Sequence, residues 1–175
     1  MGVENLKRFW EGKRVLLTGH TGFKGSWTAL YLKKMGANVT GVGLPPNTTP
    51  SLFELLDLEN KVRTFYCDIR HQSEFTNVIR KCDPEIVIHQ AAQAIVRDSY
   101  RNPLCTHSTN IMGSVNLLES LRHLDSVKVV SMVTTDKVYQ NVGAPLGYRE
   151  NDNLGGHDPY SASKAASEIV ISSYH

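Results

Sequence analysis

Tyr160 and Lys164 stand four positions apart in the chain, a spacing that puts both side chains on one face of a helix. An ammonium held beside a phenol stabilises the phenolate, lowering a pKa of about 10 toward neutrality, and such a pair can take the proton of an alcohol. Upstream, Thr135 supplies a hydroxyl able to bond the same substrate oxygen. Oxidation of an alcohol needs no more than these three groups. Asp136 and Lys137, directly after Thr135, therefore predict further proton transfers at the same edge, the alternative being a solvated ion pair that opens a loop.

A second constellation precedes these. Thr18-Gly19-His20-Thr21-Gly22-Phe23-Lys24-Gly25 spaces three glycines at intervals of three. Gly19 would permit a tight turn, Gly22 would let the backbone approach a pyrophosphate, and Gly25 would let the following helix pack closely on the preceding strand. The anion would then rest at a helix N-terminus, where free N–H groups and the positive end of the dipole face it; a tight turn that binds nothing is the alternative. Lys24 either meets a phosphate or is a solvated lysine at the helix start. The end of the next strand, Gly41-Val42-Gly43-Leu44, offers no base for a 2′-phosphate, which favours NAD over NADP. It offers no acid for a ribose either. Asp68 is the nearest acid able to reach an adenine amino group, or else a helix cap.

These groups need elements to position them. Short apolar runs at 14–18, 38–42, 62–66, 85–89 and 128–133 read as five strands. Between them lie segments of helical period at 25–35, 51–58, 73–80, where Ser73 can cap, and 103–123, with Pro103 in the first turn. A loop occupies 141–158, and a last helix starts at 159 or 160 and is still running at His175. Alternation of this kind predicts an α/β fold: a Rossmann-type, doubly wound parallel sheet with helices on both faces. It places Thr135 just past the fifth strand, at the carboxyl edge where open α/β sheets bind ligands. No Gly, Pro or polar tail ends the last helix, so residues 1–175 are expected to be the dinucleotide-binding domain of a longer chain, without its C-terminal substrate domain.

Composition narrows the class. Nineteen basic and seventeen acidic residues give a formal charge of +2 with no basic run, so neither nucleic acid nor a membrane is an expected partner. The three cysteines have no CxxC spacing and read as reduced thiols of a cytoplasmic protein. No metal is expected.

The glycine run Gly19 to Gly25 with Ser26-Trp27, His89-Gln90-Ala91-Ala92-Gln93, Thr135-Asp136-Lys137 and Gly155-Gly156-His157-Asp158-Pro159-Tyr160-Ser161 together resemble the extended short-chain dehydrogenase/reductases. Within them the likeness is to the CDP-glucose 4,6-dehydratase branch, because lysine follows the Thr-Asp pair where the dTDP-glucose branch has glutamate. The resemblance implies NAD held by Gly19, Thr21, Gly22, Phe23, Lys24 and Gly25, by Asp68 and Ile69, and by Ala91, Ala92 and Gln93, with Asn110 ordering the long helix. It implies catalysis by Thr135, Tyr160 and Lys164, with Tyr160 and Lys164 also meeting the cofactor, and with Asp136 and Lys137 sharing the acid and base roles of a dehydration. The implied substrate is a nucleotide sugar, CDP-glucose favoured, and the implied assembly a homodimer through 103–123 and 160–175. The alternatives are another nucleotide-sugar dehydratase, a 4-epimerase, or a non-catalytic dinucleotide-binding module.

Overall fold

Five apolar runs pair side by side as parallel strands: β1 (Arg14–Thr18), β2 (Asn38–Gly43), β3 (Arg63–Tyr66), β4 (Ile86–His89) and β5 (Val129–Met132), in the order β3-β2-β1-β4-β5. They are seen in a computed structural model that describes residues 3–143 and 145–174. The order reverses at β1, from which β2 lies on one side and β4 on the other, and this switch point opens a crevice at the strand ends. The register aligns Thr18 with both Val42 and His89, so the ends of β1, β2 and β4 meet at one level.

Alternate side chains of β1 build two cores, since successive strand residues face opposite ways. Val15 and Leu17 pack with Ala29, Leu32, Val39 and Phe53 on one side, whereas Leu16 packs with Val42, Phe75, Ile79, Val87 and Leu117 on the other. Leu16 and Leu17 are fully buried, each contributing about 2 kcal/mol of apolar transfer. The first core is covered by α2 (Phe23–Lys34) and α3 (Leu52–Leu55), the second by α4 (Gln72–Cys82) and α7 (Gly113–Leu121). Helices thus cover both faces around β1. On β5, however, the neighbours Val129 and Val130 point to opposite faces and are 52% and 37% exposed, so the described residues leave that outer strand uncovered.

Several elements depart from the sequence reading. Two helices lay outside it: α1 (Val3–Trp10) and α5 (Val96–Arg101). The helix expected at 25–35 begins earlier, at Phe23, directly after Gly22. The one at 51–58 shrinks to α3, where Ser51 and Glu54 form a reciprocal capping box and Leu56 closes the turn. Ser73 does not cap α4; His71 holds that position without a side-chain bond. The single helix at 103–123 is α6 (Pro103–His107), a π-helical turn (Ser108–Met112) and α7, ending at Leu121. The last helix, α8 (Pro159–Ser173), stops before Tyr174, whose N–H still bonds the Ile171 carbonyl; His175, where the helix was expected to continue, lies outside the described residues. No helix among the described residues is long and apolar enough to cross a membrane.

Candidate active site at the switch point

Between β1 and α2 the chain turns through Gly19, at φ +76°, in the left-handed region that glycine adopts without strain. A Cβ there would sit 2.7 Å from the Ala91 amide nitrogen, and one on Gly25 would collide with the Gly19 carbonyl. The loop therefore closes against the residues after β4 and against its own helix. The α2 helix, with Gly22 at its N-cap, has no side-chain cap and no acid in its first turn, which leaves its leading N–H groups free for an anion. Phe23 and Lys24 lie exposed at this mouth, while the Thr21 hydroxyl donates to the Leu44 carbonyl at 2.7 Å. Behind the loop, the buried His20 ring occupies the space beside Gly41 that any side chain would fill. Burial holds that imidazole neutral, its pKa lowered to about 4.

Thr18 joins the two sides of the crevice. Its oxygen accepts the N–H groups of Gln90 and Ala91, both at 3.1 Å, so its own hydrogen goes to Nδ1 of His89 at 2.7 Å, leaving Nε2 as the protonated nitrogen. Burial, then the nearby Lys164 charge, lowers the His89 pKa to about 3. From the other side, Asn110 is turned inward by the π-helical turn. Its Oδ1 accepts from the Gln93 N–H at 2.8 Å, and its Nδ2 donates to the Gln93 carbonyl at 3.0 Å and to Ser163 Oγ at 2.8 Å. Turns of this kind recur at functional sites because they redirect a side chain and free a carbonyl; the freed Asn110 carbonyl accepts from Ser114 and Ser167.

Beyond β5 the chain runs along α8 in a ladder. Thr135 lies near enough to the Tyr160 hydroxyl to draw its pKa down; Lys164 Nζ donates to the Val133 carbonyl at 3.2 Å; Thr134 donates to Glu168 at 2.5 Å. The Thr135 hydroxyl also donates to Asp136 at 3.1 Å and accepts the Lys137 N–H at 3.3 Å. Asp158 caps α8 through the Ser161 N–H at 2.9 Å and hydroxyl at 2.6 Å, which fixes where Tyr160 starts its turn.

The electrostatics of this ladder differ from the sequence expectation in one respect. Lys164 does not hold the phenol acidic here: burial pushes Tyr160 above its ordinary value, against the pull of nearby Thr135 and with the Asp136 and Asp158 carboxylates adding to the rise. Lys164, itself buried, is pushed below its usual range, with Glu168 opposing the shift. The ammonium is turned toward a backbone carbonyl.

Asp68 and Ile69, the two residues expected beside the adenine, have partners within the chain. The Asp68 carboxylate is taken by Arg70, which donates its backbone N–H at 2.9 Å, Nε at 3.0 Å and Nη2 at 2.5 Å, holding the acid below the usual carboxylate range. Asp68 caps no helix. The Ile69 side chain is core, 4% exposed, and its carbonyl accepts from Asn116. Asp136 and Lys137 both lie exposed beside Thr135, and Asp158 is close enough to feel the Lys137 charge.

Sequence reasoning quoted Thr18, His89 and Asp158 within its motifs without giving them a role, and passed over Ser163 and Glu168. Asp158 carried a usable signal, an aspartate directly before a proline at a helix start. The others carried none, because their partners are distant in sequence.

Comparison with known proteins places this arrangement. CDP-glucose 4,6-dehydratase of Salmonella typhimurium (strain LT2) is 49% identical over 168 residues, covering 96% of this chain and 47% of that protein. UDP-glucose 4-epimerase of Thermus thermophilus, solved in complex with NAD, superposes with a TM-score of 0.78 at 32% identity over 91% of this chain and 50% of its own. An epimerase from Methanothermobacter thermautotrophicus shares the fold at a TM-score of 0.85 and 24% identity, over 99% of this chain and 50% of its own. The chain thus spans about half the length of the relatives it matches. Residues 16–175 match the family described as GDP-mannose 4,6 dehydratase, and the chain, with its glycine turn, Thr135 and Tyr160 gathered at one sheet edge, belongs to that family.

Proposed function

We propose that the chain is the cofactor-binding and catalytic part of an NAD-dependent nucleotide-sugar 4,6-dehydratase, a hydro-lyase acting on CDP-glucose. The carrying observation is that Thr135 and the Tyr160 hydroxyl meet at the carboxyl edge of the sheet, beside the crevice framed by Gly19 and Ala91. The nucleotide choice is supported by the 49% identity to the Salmonella enzyme and by Lys137 after the Thr-Asp pair.

The residues present fit NAD. The uncapped start of α2, framed by Gly19, Thr21, Gly22, Phe23, Lys24 and Gly25, suits a pyrophosphate. Ala91, Ala92 and Gln93 line the opposite side of the crevice, braced by Asn110, and Asp68 with Ile69 would flank the adenine. The absence of a basic group at the end of β2 fits NAD rather than its 2′-phosphate. NAD held there would supply hydride acceptance from C4 of the sugar and hydride return to C6.

Tyr160 takes the proton of the C4 hydroxyl and Thr135 holds the same oxygen, while the Lys164 ammonium, one helical turn away, would stabilise the phenolate once it turns from the Val133 carbonyl that it meets here. The carbonyl formed at C4 acidifies the hydrogen on C5. Asp136 and Lys137 then divide the elimination: one removes the C5 proton and the other protonates the hydroxyl leaving C6, so that water departs. The 5,6-ene so formed would take the hydride at C6 and, at C5, a proton from the group that had removed one there, giving a 4-keto-6-deoxy sugar.

We extend the reading to a cytoplasmic homodimer joined through 103–123 and 160–175. It is supported by Leu104, Met112 and Ile169, which expose 79%, 50% and 63% of their surface on those segments.

The test is incubation of the full-length protein with CDP-glucose and NAD, followed by the alkali-induced absorbance of a 4-keto sugar. A signal with a different nucleotide sugar but none with CDP-glucose overturns the substrate assignment. Asp136→Asn and Lys137→Met are expected to keep oxidation at C4 while abolishing water loss; an epimerase would be little affected by either.

A further inference from the structure

Three consecutive residues leaving β5 touch three residues of α8 spaced four apart: Thr135 with Tyr160, the Val133 carbonyl with Lys164, and Thr134 with Glu168. The first two rungs belong to the proton-transfer machinery already described. The third has no part in it, although Glu168 lies one helical turn beyond Lys164 on the same face.

We propose that Glu168, anchored by the Thr134 hydroxyl, is a positioning residue that supplies the counter-charge keeping buried Lys164 protonated one helical turn from Tyr160. The proposal rests on the reading of Tyr160 and Lys164 as the proton-transfer pair. Lys164 is 7% exposed, and an isolated ammonium at such a site gives up its proton readily. The charged and titratable groups around it are few. His89, on β4, is neutral and near enough to feel the Lys164 charge; Tyr160 and Glu168 share its own helix; Val133, whose carbonyl it meets after β5, carries no charge. Glu168 is thus the neighbouring anion whose charge favours the ammonium. Its other neighbours, Tyr139 and Glu150, lie across an open cleft. The 2.5 Å bond from Thr134 stops the carboxylate from swinging into that cleft.

The test measures the protonation of Lys164 directly in the full-length protein, from the pH dependence of its acylation by acetic anhydride, read by peptide mass spectrometry. Glu168→Gln keeps an acceptor for Thr134 and removes the charge; it should lower the midpoint for Lys164 by about one pH unit. Glu168→Asp should restore most of that shift, and Thr134→Val, which frees the carboxylate, should lower the midpoint by less. With CDP-glucose, the alkaline limb of the pH–rate profile should fall by the same amount in Glu168→Gln. Unchanged midpoints in both Glu168→Gln and Thr134→Val, with only thermal stability reduced, overturn the proposal. Because the acylation readout needs no substrate, inactivity of the wild-type protein toward CDP-glucose would refute the proposed function without touching this result.

Discussion

The Thr18 hydroxyl and Nδ1 of His89 lie 2.7 Å apart, a fully buried bond that ties the end of β1 to the end of β4. The same oxygen holds the N–H groups of Gln90 and Ala91, so one side chain sets both walls of the crevice. Thr18→Val keeps the shape and removes every one of these bonds. We expect a loss of about 3 kcal/mol, since each buried group left unpaired costs about 1–3 kcal/mol. Urea unfolding of the full-length protein checks it; a loss below roughly 1 kcal/mol would show that the network adds little.

His20 and His89 are held neutral by burial, at about 4 and about 3 against an unfolded value of 6.5. Between those values the unfolded chain binds protons that the folded chain does not, so stability rises with pH through this window and is level above it. Acidification from pH 6.5 toward 4 should cost roughly 3 kcal/mol for each histidine. The urea midpoint followed from about pH 7.5 to 4.5 tests this. His20→Gln should flatten part of the slope, and a midpoint indifferent to pH would contradict the burial of both rings.

Gly25 packs so closely on Gly19 that a methyl group would strike the Gly19 carbonyl. Gly25→Ala should therefore push α2 away from β1, costing about 1–3 kcal/mol and weakening NAD binding at least tenfold. Gly147→Ala, where a Cβ would meet nothing within 4 Å, is the matched control and should leave both properties unchanged. Calorimetric titration with NAD separates the two variants.

Asn110 spends its whole amide on the site, bonding both backbone groups of Gln93 and the Ser163 hydroxyl. Asn110→Ala should destabilise the protein by about 3 kcal/mol and loosen α8 from the crevice. Hydrogen exchange at the Gln93 amide provides the readout: it should speed up in the variant well beyond the change in global stability. Exchange that merely tracks global stability would mean that the π-helical turn is held by other contacts.

The sheet was readable because each strand is a short apolar run and each connecting helix repeats at its own period. Local pattern is enough for that. The glycine turn and the Tyr160–Lys164 spacing were legible for the same reason, being local in the chain. Element ends were less so. The π-helical turn at Ser108–Met112 left no mark on the apolar spacing of 103–123; α1 carries a short stripe, Val3, Leu6, Phe9 and Trp10, that the sequence reading did not take up, and α5 is too short to show one. Asp68 gave no sign in the sequence of its ion pair with Arg70, two residues away, whose guanidinium binds the carboxylate.

The sequence by itself determined a parallel sheet with a phosphate-type turn at one end of β1 and a tyrosine–lysine pair on a late helix, since all of these follow from spacings of a few residues. Only the tertiary structure decided which partner each polar group took. Thr18 meets His89 across 71 positions and Asn110 meets Ser163 across 53. Such pairs form because a buried donor or acceptor must find a partner wherever the fold provides one, and chain spacing does not encode where that will be. The raised Tyr160 pKa has the same origin: burial is a property of everything packed around the phenol, not of the four residues that separate it from Lys164.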